Sequence, residues 1–247
     1  HNRGFDFTLD YNQQINKDLF VSAKGTFTYA QNKIVERDEP ILDHPYMSAI
    51  GKPLNRYSGH IALGLFKDED DIANSPEQTF SNKVFPGDIK YADLNGDGKI
   101  DGNDVTQIGF PTVPEIVYGL GVSVQYKKWD ASIFFQGVAR TSNMIRNIHP
   151  FTSKQNTVLQ FVADDYWSEA NPNPNAKYPR LDIAQNTNNE RYSTYWLRDM
   201  SFLRLKNMEI GFTHKSIRFY LAGQNLLTFS KFKDWDPELG SGNGLKY

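Results

Sequence analysis

Segments that alternate apolar and polar residues recur along this chain, and the joins between them are by turns very short and very long. A period of two is the mark of a strand with one face against an apolar medium. Phe5, Phe7, Leu9 and Tyr11 point one way, and Asp6, Thr8, Asp10 and Asn12 the other. Leu19, Val21, Ala23, Phe27 and Tyr29 form one face of the next segment, with Ser22, Lys24, Thr26 and Thr28 opposite. Ile116, Tyr118, Leu120, Val122, Val124 and Tyr126 alternate with Gly119, Gly121, Ser123 and Gln125. Trp129, Ala131, Ile133 and Phe135 continue that apolar face, with Asp130, Ser132 and Gln136 behind them and Phe134 as the exception. This pattern predicts strands near 4–12, 19–31, 115–126, 129–140, 196–212 and 217–229. The phase of the fifth shifts at Lys206-Asn207, which predicts a bulge.

Periodicity alone fits two architectures. In a β-sandwich the apolar faces pack into a core; in a transmembrane barrel they face lipid. The joins at 13–18, 127–128 and 213–216 are short, whereas 32–113 and 141–194 are long. Barrels of the outer-membrane type have this asymmetry, with short periplasmic turns and longer extracellular loops. Most of the segments reach the 9–11 residues that a tilted span needs. The small, polar second face, rich in Gly and Ser, suits a lumen. The expected fold class is therefore all-β, a transmembrane antiparallel barrel with long extracellular loops. Six strands cannot close around a lumen without open edges in lipid, so further strands are expected from sequence outside this chain. The start at His1-Asn-Arg-Gly-Phe, nearly inside a strand and without a leader, suggests a longer parent.

Composition removes several function classes. A formal net charge of -2 offers no general steering toward nucleic acid. Without cysteine there is no disulfide frame or thiolate metal site. No nucleophile elbow or phosphate loop occurs, and His1, His44, His60, His149 and His214 are scattered, so they are expected in exposed loops or turns. No enzymatic activity is expected.

One loop carries metal-binding chemistry. From Asp93 to Asp104, oxygen side chains stand at positions 1, 3, 5, 9 and 12: Asp93, Asn95, Asp97, Asp101 and Asp104. Gly98 holds position 6, where the chain must turn, and Lys99 holds position 7, where a backbone carbonyl serves. This is the spacing of an EF-hand-type calcium loop. A structural Ca2+ is expected here, although Asp at position 12 is shorter than the usual Glu and the flanks carry prolines instead of helices. The plain alternative is a polar turn that needs no ion. A second group consists of aromatics: Tyr166, Trp167, Tyr195 and Trp196 in the second long loop, and Trp235 near the end. These can contact a substrate or partner, or pack the loop itself.

Several phrases taken together resemble one family. Gly87-Asp-Ile-Lys-Tyr-Ala-Asp-Leu-Asn-Gly-Asp-Gly-Lys-Ile-Asp101, Phe134-Phe-Gln-Gly-Val138, Trp196-Leu-Arg-Asp199, Phe202-Leu-Arg-Leu-Lys-Asn207, Gly223-Gln-Asn-Leu-Leu-Thr-Phe229 and Trp235-Asp-Pro-Glu238 are similar to stretches of SusC/RagA-type TonB-dependent outer-membrane transporters. Their order matches the C-terminal barrel region of that family. The resemblance implies a barrel of roughly 22 strands with a plugged lumen. It also implies TonB as the energy source, a SusD-like surface lipoprotein as partner, and glycans or peptides as cargo. The plug and the closing strand are expected outside residues 1–247. Two other readings are a secreted, calcium-stabilised glycan-binding β-sandwich and a dockerin-like module. The second lacks the repeat of the loop and the helices it would need.

Overall fold

The structure is a computed structural model, and it describes residues 1–81, 83–145, 158–182 and 186–239. The chain divides into two units: His1–Asn32 with Phe110–Ser142 and Asp199–Gly240, and Lys33–Gly109 with Asn143–Arg198.

The first unit is one antiparallel sheet. Its strands are β1 (Asn2–Asn16), β2 (Leu19–Asn32), β3 (Ile116–Tyr126), β4 (Trp129–Ala139), β5 (Phe202–His214) and β6 (Ile217–Ser230). They pair in chain order, and the sheet is not closed: β1 and β6 are its edges. The short joins are built for this. Lys127 and Lys215 take φ of 53°, the left-handed conformation that two-residue hairpins require. Asn16 caps the first hairpin by accepting from the Asp18 and Leu19 N–H groups at 2.9 and 3.0 Å.

Strand lengths differ from the sequence reading in two places. β1 runs on beyond the alternating core at 4–12 to span Asn2–Asn16, while β2 exceeds 19–31 only by Asn32. The strand expected over 196–212 is interrupted: Leu197–Asp199 is separate from β5. The Asp199 carboxylate accepts from the Ser201 N–H at 2.9 Å, a side-chain turn that ends the first piece. The bulge lies where the phase shift put it, since the register slips between Leu205 and Asn207 against both neighbours.

The apolar face of this sheet is bare. Phe5 is 59% exposed, Trp129 52% and Leu221 75%. A sandwich would bury those side chains against a second sheet, so that reading fails.

The second unit is held by short pieces of structure. Tyr57–Gly59 pairs with Thr106–Ile108, and Ala62–Leu65 with Ile89–Tyr91. Glu77–Gln78 runs parallel to Lys99–Ile100. A short helix, Glu69–Ala73, starts at an Asp68 cap, and another spans Gln160–Ala163. Phe66, Ile89, Tyr91, Ile100, Val162 and Tyr178 form the core. His60 corrects the expectation of exposed histidines, since only 5% of it reaches solvent. His149 and the Gly-rich tail at 240–244 lie outside the described residues.

Candidate functional site

The two faces of the sheet have opposite chemistry, and register shows how. One outward row crosses all six strands as Phe7, Phe27, Tyr118, Gly137, Leu203 and Phe229. A second row, beside the short turns, runs Leu19, Tyr126, Trp129, Phe212 and Phe219. Between them lie aliphatic rows such as Ala23, Val122, Ile133 and Met208. Aromatic rows bounding an aliphatic band are how a membrane strand meets two interfaces. The eight-residue step from Tyr118 to Tyr126 covers about 26 Å along a strand. A tilt of about 40° reduces that to about 20 Å, close to the apolar band of an outer-membrane barrel. Tyr118 also lies over Gly137, where a Cβ would sit 2.4 Å from the Tyr118 ring, and its hydroxyl donates to the Phe202 carbonyl at 3.1 Å.

The other face is polar and cross-linked. Thr28 donates to Asp6 at 2.7 Å, and Lys24 pairs with Asp10 at 3.5 Å. Arg218 on β6 bonds both Asp130 on β4 and Glu209 on β5. It crosses β5 at Gly211, where a Cβ would collide with the Arg218 and Asp130 side chains. Gly119 and Gly121 make a shallow floor under Phe134, which accommodates the aromatic that breaks the polar pattern of β4. Ser123, Gln125 and Gln136 fall on this face too, by register.

In the second unit the acidic loop is tied mainly to itself. Asp93 accepts from the Gly96 and Gly98 N–H groups, at 2.6 and 2.9 Å. Asn95 accepts from Asp97 N–H, and Asp97 from Lys99 N–H at 2.8 Å. The Lys99 bond holds the Asp97 carboxyl below the usual carboxylate range. Asp101 caps Asn103, and Asp104, fully buried, accepts from both Leu94 and Asp101 at 2.7 and 2.8 Å. His60 Nε2–H donates to the Asp101 carbonyl at 2.9 Å, the only role open to it opposite a carbonyl. Tyr46 donates to the Asn103 carbonyl at 2.6 Å. The donor types suit a hard cation, but among the described residues no group of three or more His, Asp or Glu stands close enough to hold a metal. As folded, these carboxylates cap backbone N–H groups.

The loop aromatics separate into two kinds. Trp167 and Trp196 are 6% and 5% exposed. Trp167 covers Gly87, where a Cβ would meet its ring at 2.3 Å. Trp196 Nε1 donates to the Asn189 carbonyl at 2.7 Å. These two pack the loop. Tyr166 and Tyr195 are half-buried, and the Tyr195 hydroxyl donates to the Ala176 carbonyl at 3.1 Å. Trp235, in the first unit, stands edge-on to Phe232 with ring centres 4.5 Å apart.

Sequence reading missed the centre of the loop unit, Asp88. Its buried carboxylate accepts from Phe85 N–H and from the Asn186 and Asn189 amides at 2.9, 2.9 and 3.0 Å. Arg180 Nη2 donates to Asp88 Oδ2 at 3.4 Å, and its Nε stands 2.7 Å from Oδ1 as an ion pair without an aligned hydrogen bond. Beside it, buried Gln78 donates to the Asn188 side chain and the Ile89 carbonyl, and accepts from Tyr91 N–H. The available signal was the Asn188-Asn189 pair together with an acid set between Gly87 and Ile89.

No family model matches the chain. Among curated proteins it is 30% identical over 264 residues to TonB-dependent receptor P3 of Formosa agariphila, covering 96% of this chain and 25% of that receptor. It is 25% identical over 255 residues to TonB-dependent receptor SusC of Bacteroides thetaiotaomicron, covering 98% of this chain and 24% of SusC. Among solved structures, the RagAB peptide transporter has a TM-score of 0.67 at 22% identity, covering 96% of this chain and 26% of that one. The chain thus spans about a quarter of the length of the relatives it matches. The bare apolar face, the aromatic rows and these likenesses agree: over nearly its whole length the chain is similar to TonB-dependent receptors of the outer membrane, SusC among them, and its fold is that of an open portion of such a barrel wall with long loops.

Proposed function

We propose that this chain is wall and loop of an outer-membrane importer that takes up glycans or peptides, energised by TonB, together with a SusD-like surface lipoprotein. The reading rests above all on the 30% identity that runs through nearly the whole chain to a TonB-dependent receptor. The two-faced sheet supports it: an aliphatic band between aromatic rows for lipid, and a polar, ion-paired face for a lumen. On this reading the wall performs no bond chemistry. The loop unit, with Tyr166 and Tyr195 partly open, offers surface to the lipoprotein or the cargo, and Trp167 and Trp196 hold that surface in shape. We assign cargo uptake to the full receptor. Deleting it should abolish uptake of a fluorescent oligosaccharide or oligopeptide pool, as should depleting TonB. Undiminished uptake of both pools in the deletion strain would refute the importer.

Calcium is proposed for the Asp93–Asp104 loop, on the oxygen spacing and on the carbonyl of Lys99 at position 7. Asp93, Asn95 and Asp97 each accept backbone N–H groups in the fold, so the ion would have to draw on their remaining lone pairs. Calorimetry on the full receptor should show a calcium-binding event that Asp97→Ala removes. A binding event unchanged by that substitution would remove the claim.

A further inference from the structure

The three short turns of the sheet carry charge of mainly one sign. The β1–β2 turn holds Lys17 and Asp18, the β3–β4 turn Lys127 and Lys128, and the β5–β6 turn Lys215. All four lysines are exposed. Four ammonium groups against one carboxylate make a local excess of positive charge in a chain whose formal net charge is -2. The turns also stand side by side. Lys127 N–H donates to the Asp18 carbonyl at 2.8 Å, and Thr213 N–H to the Lys128 carbonyl at 2.8 Å. Adjacent strands lie about 4.8 Å apart, so neighbouring hairpin turns are about 10 Å apart. That is about one Debye length in physiological salt, so the lysines act together on an anion that approaches them.

The neighbouring carboxylates do not cancel this rim. Asp18 lies 3.9 Å from Lys127, with both side chains 55% exposed, a pair that solvent screens. Among the described residues, Lys17, Lys128 and Lys215 are in no ion pair. Asp130, which follows the β3–β4 turn, is turned to the polar face and bonded to Arg218. Lys127 shows which side the rim serves. Its ammonium stands 5.4 Å from the centre of the Tyr126 ring. Tyr126 belongs to the outward aromatic row with Leu19, Trp129, Phe212 and Phe219. In a membrane wall such a row lies at the interface, so the lysines begin where the apolar band ends, at the level of the lipid headgroups. Lysine at an interface lays its stem on apolar surface and extends its ammonium to the polar side.

We propose that this lysine rim is a docking surface for anionic phospholipid headgroups of the periplasmic leaflet, the side that short turns face in an outer-membrane barrel. It rests on the barrel-wall reading, and cargo does not enter it. The test places the full receptor in vesicles of equal parts phosphatidylcholine and phosphatidylglycerol, with one or the other brominated close to the headgroup. Bromine quenches tryptophan fluorescence on contact, and subtracting the signal of a Trp129→Phe receptor isolates Trp129 in the aromatic row. Brominated phosphatidylglycerol should quench Trp129 as if enriched about fivefold over phosphatidylcholine, the weight of one lysine beside an anionic surface. Neutralising the rim should remove the enrichment. The variant combines Lys17→Gln and Lys128→Gln with Lys127→Asn and Lys215→Asn, because Asn accepts the positive φ of those two positions. Changing all four lysines to arginine should keep the enrichment, and high salt should shrink it. Equal quenching by the two lipids would overturn the proposal, as would an enrichment that survives in the neutralised receptor. A receptor whose Trp129 is quenched equally by both lipids fails this inference and keeps the wall reading, while a Trp129 that neither brominated lipid quenches fails the wall reading itself.

Discussion

The sheet and the loop unit solve opposite solvent problems with one alphabet. In the sheet the large apolar side chains are outside: Phe5, Leu9, Phe219 and Leu221 are all more than half exposed. In the loop unit the interior is partly polar: Asp88, Asn188 and Asn189 are buried at 0%, 0% and 2% exposure. A strand in lipid satisfies its backbone through the ladder and can turn any apolar residue outward. A long loop has only short ladders, so many of its backbone N–H and C=O groups must find side chains. Asn and Gln meet that need because each carries both a donor and an acceptor. Polar residues thus supply in the loops what strand pairing supplies in the wall.

The largest expected effect breaks the loop side of this contrast. Asp88→Ala removes the acceptor of four hydrogen bonds, one of them from Arg180, and the anion beside that Arg180, which is only 17% exposed. Removing one member of a buried pair costs about 3–5 kcal/mol. Arg180 keeps Asp182 at 2.9 Å, which favours the low end. Hydrogen exchange on the full receptor should show residues 77–91 and 186–196 losing protection together while β3 and β4 keep theirs. Loss confined to one of those two segments would show that Asp88 does not tie them.

Next in size is a substitution on the wall. Val122 lies four residues from Tyr118 and four from Tyr126, so it sits midway between the aromatic rows. Arg at the bilayer midplane of a barrel costs about 2–4 kcal/mol. Val122→Arg should lower the denaturant midpoint of the receptor in bilayers accordingly, whereas Ser123→Arg, on the polar face one residue on, should cost much less. Equal effects would mean that the faces are assigned wrongly.

The contrast also explains what could be read in the sequence. Strand alternation survives in β1, β2, β3 and β4 because lipid and lumen impose one rule on every residue. It fails at Lys206, where the bulge adds a residue, and at Asp199, where a side-chain turn cuts the strand. The loop unit follows no period. Asp88 and Asn189 are 101 residues apart and meet only in the fold, and a buried His60 cannot be told from an exposed one by spacing. The acidic loop was legible as a motif, but the fold points its carboxylates at its own N–H groups, which a spacing rule does not foresee.

The smallest effect sharpens the contrast by testing a loop contact that water reaches. Asp71 pairs with Lys90 at 2.7 Å, the two side chains being 22% and 25% exposed. The bond from Lys90 lowers the Asp71 pKa below its ordinary value, against the opposing pull of partial burial. A carboxyl lowered in the fold stabilises above its unfolded pKa of about 3.9 and loses that contribution as pH falls through the folded value. Because solvent screens the pair, the gain at neutral pH is about 0.5 kcal/mol. Asp71→Asn should therefore destabilise the loop unit slightly at pH 7, and the difference from the parent should vanish in acid. High salt should shrink it as well, because the charges are partly exposed. The buried Asp88 network should respond far less to salt, since little solvent reaches it, and protection measured at low and high salt in both variants separates the two kinds of loop contact.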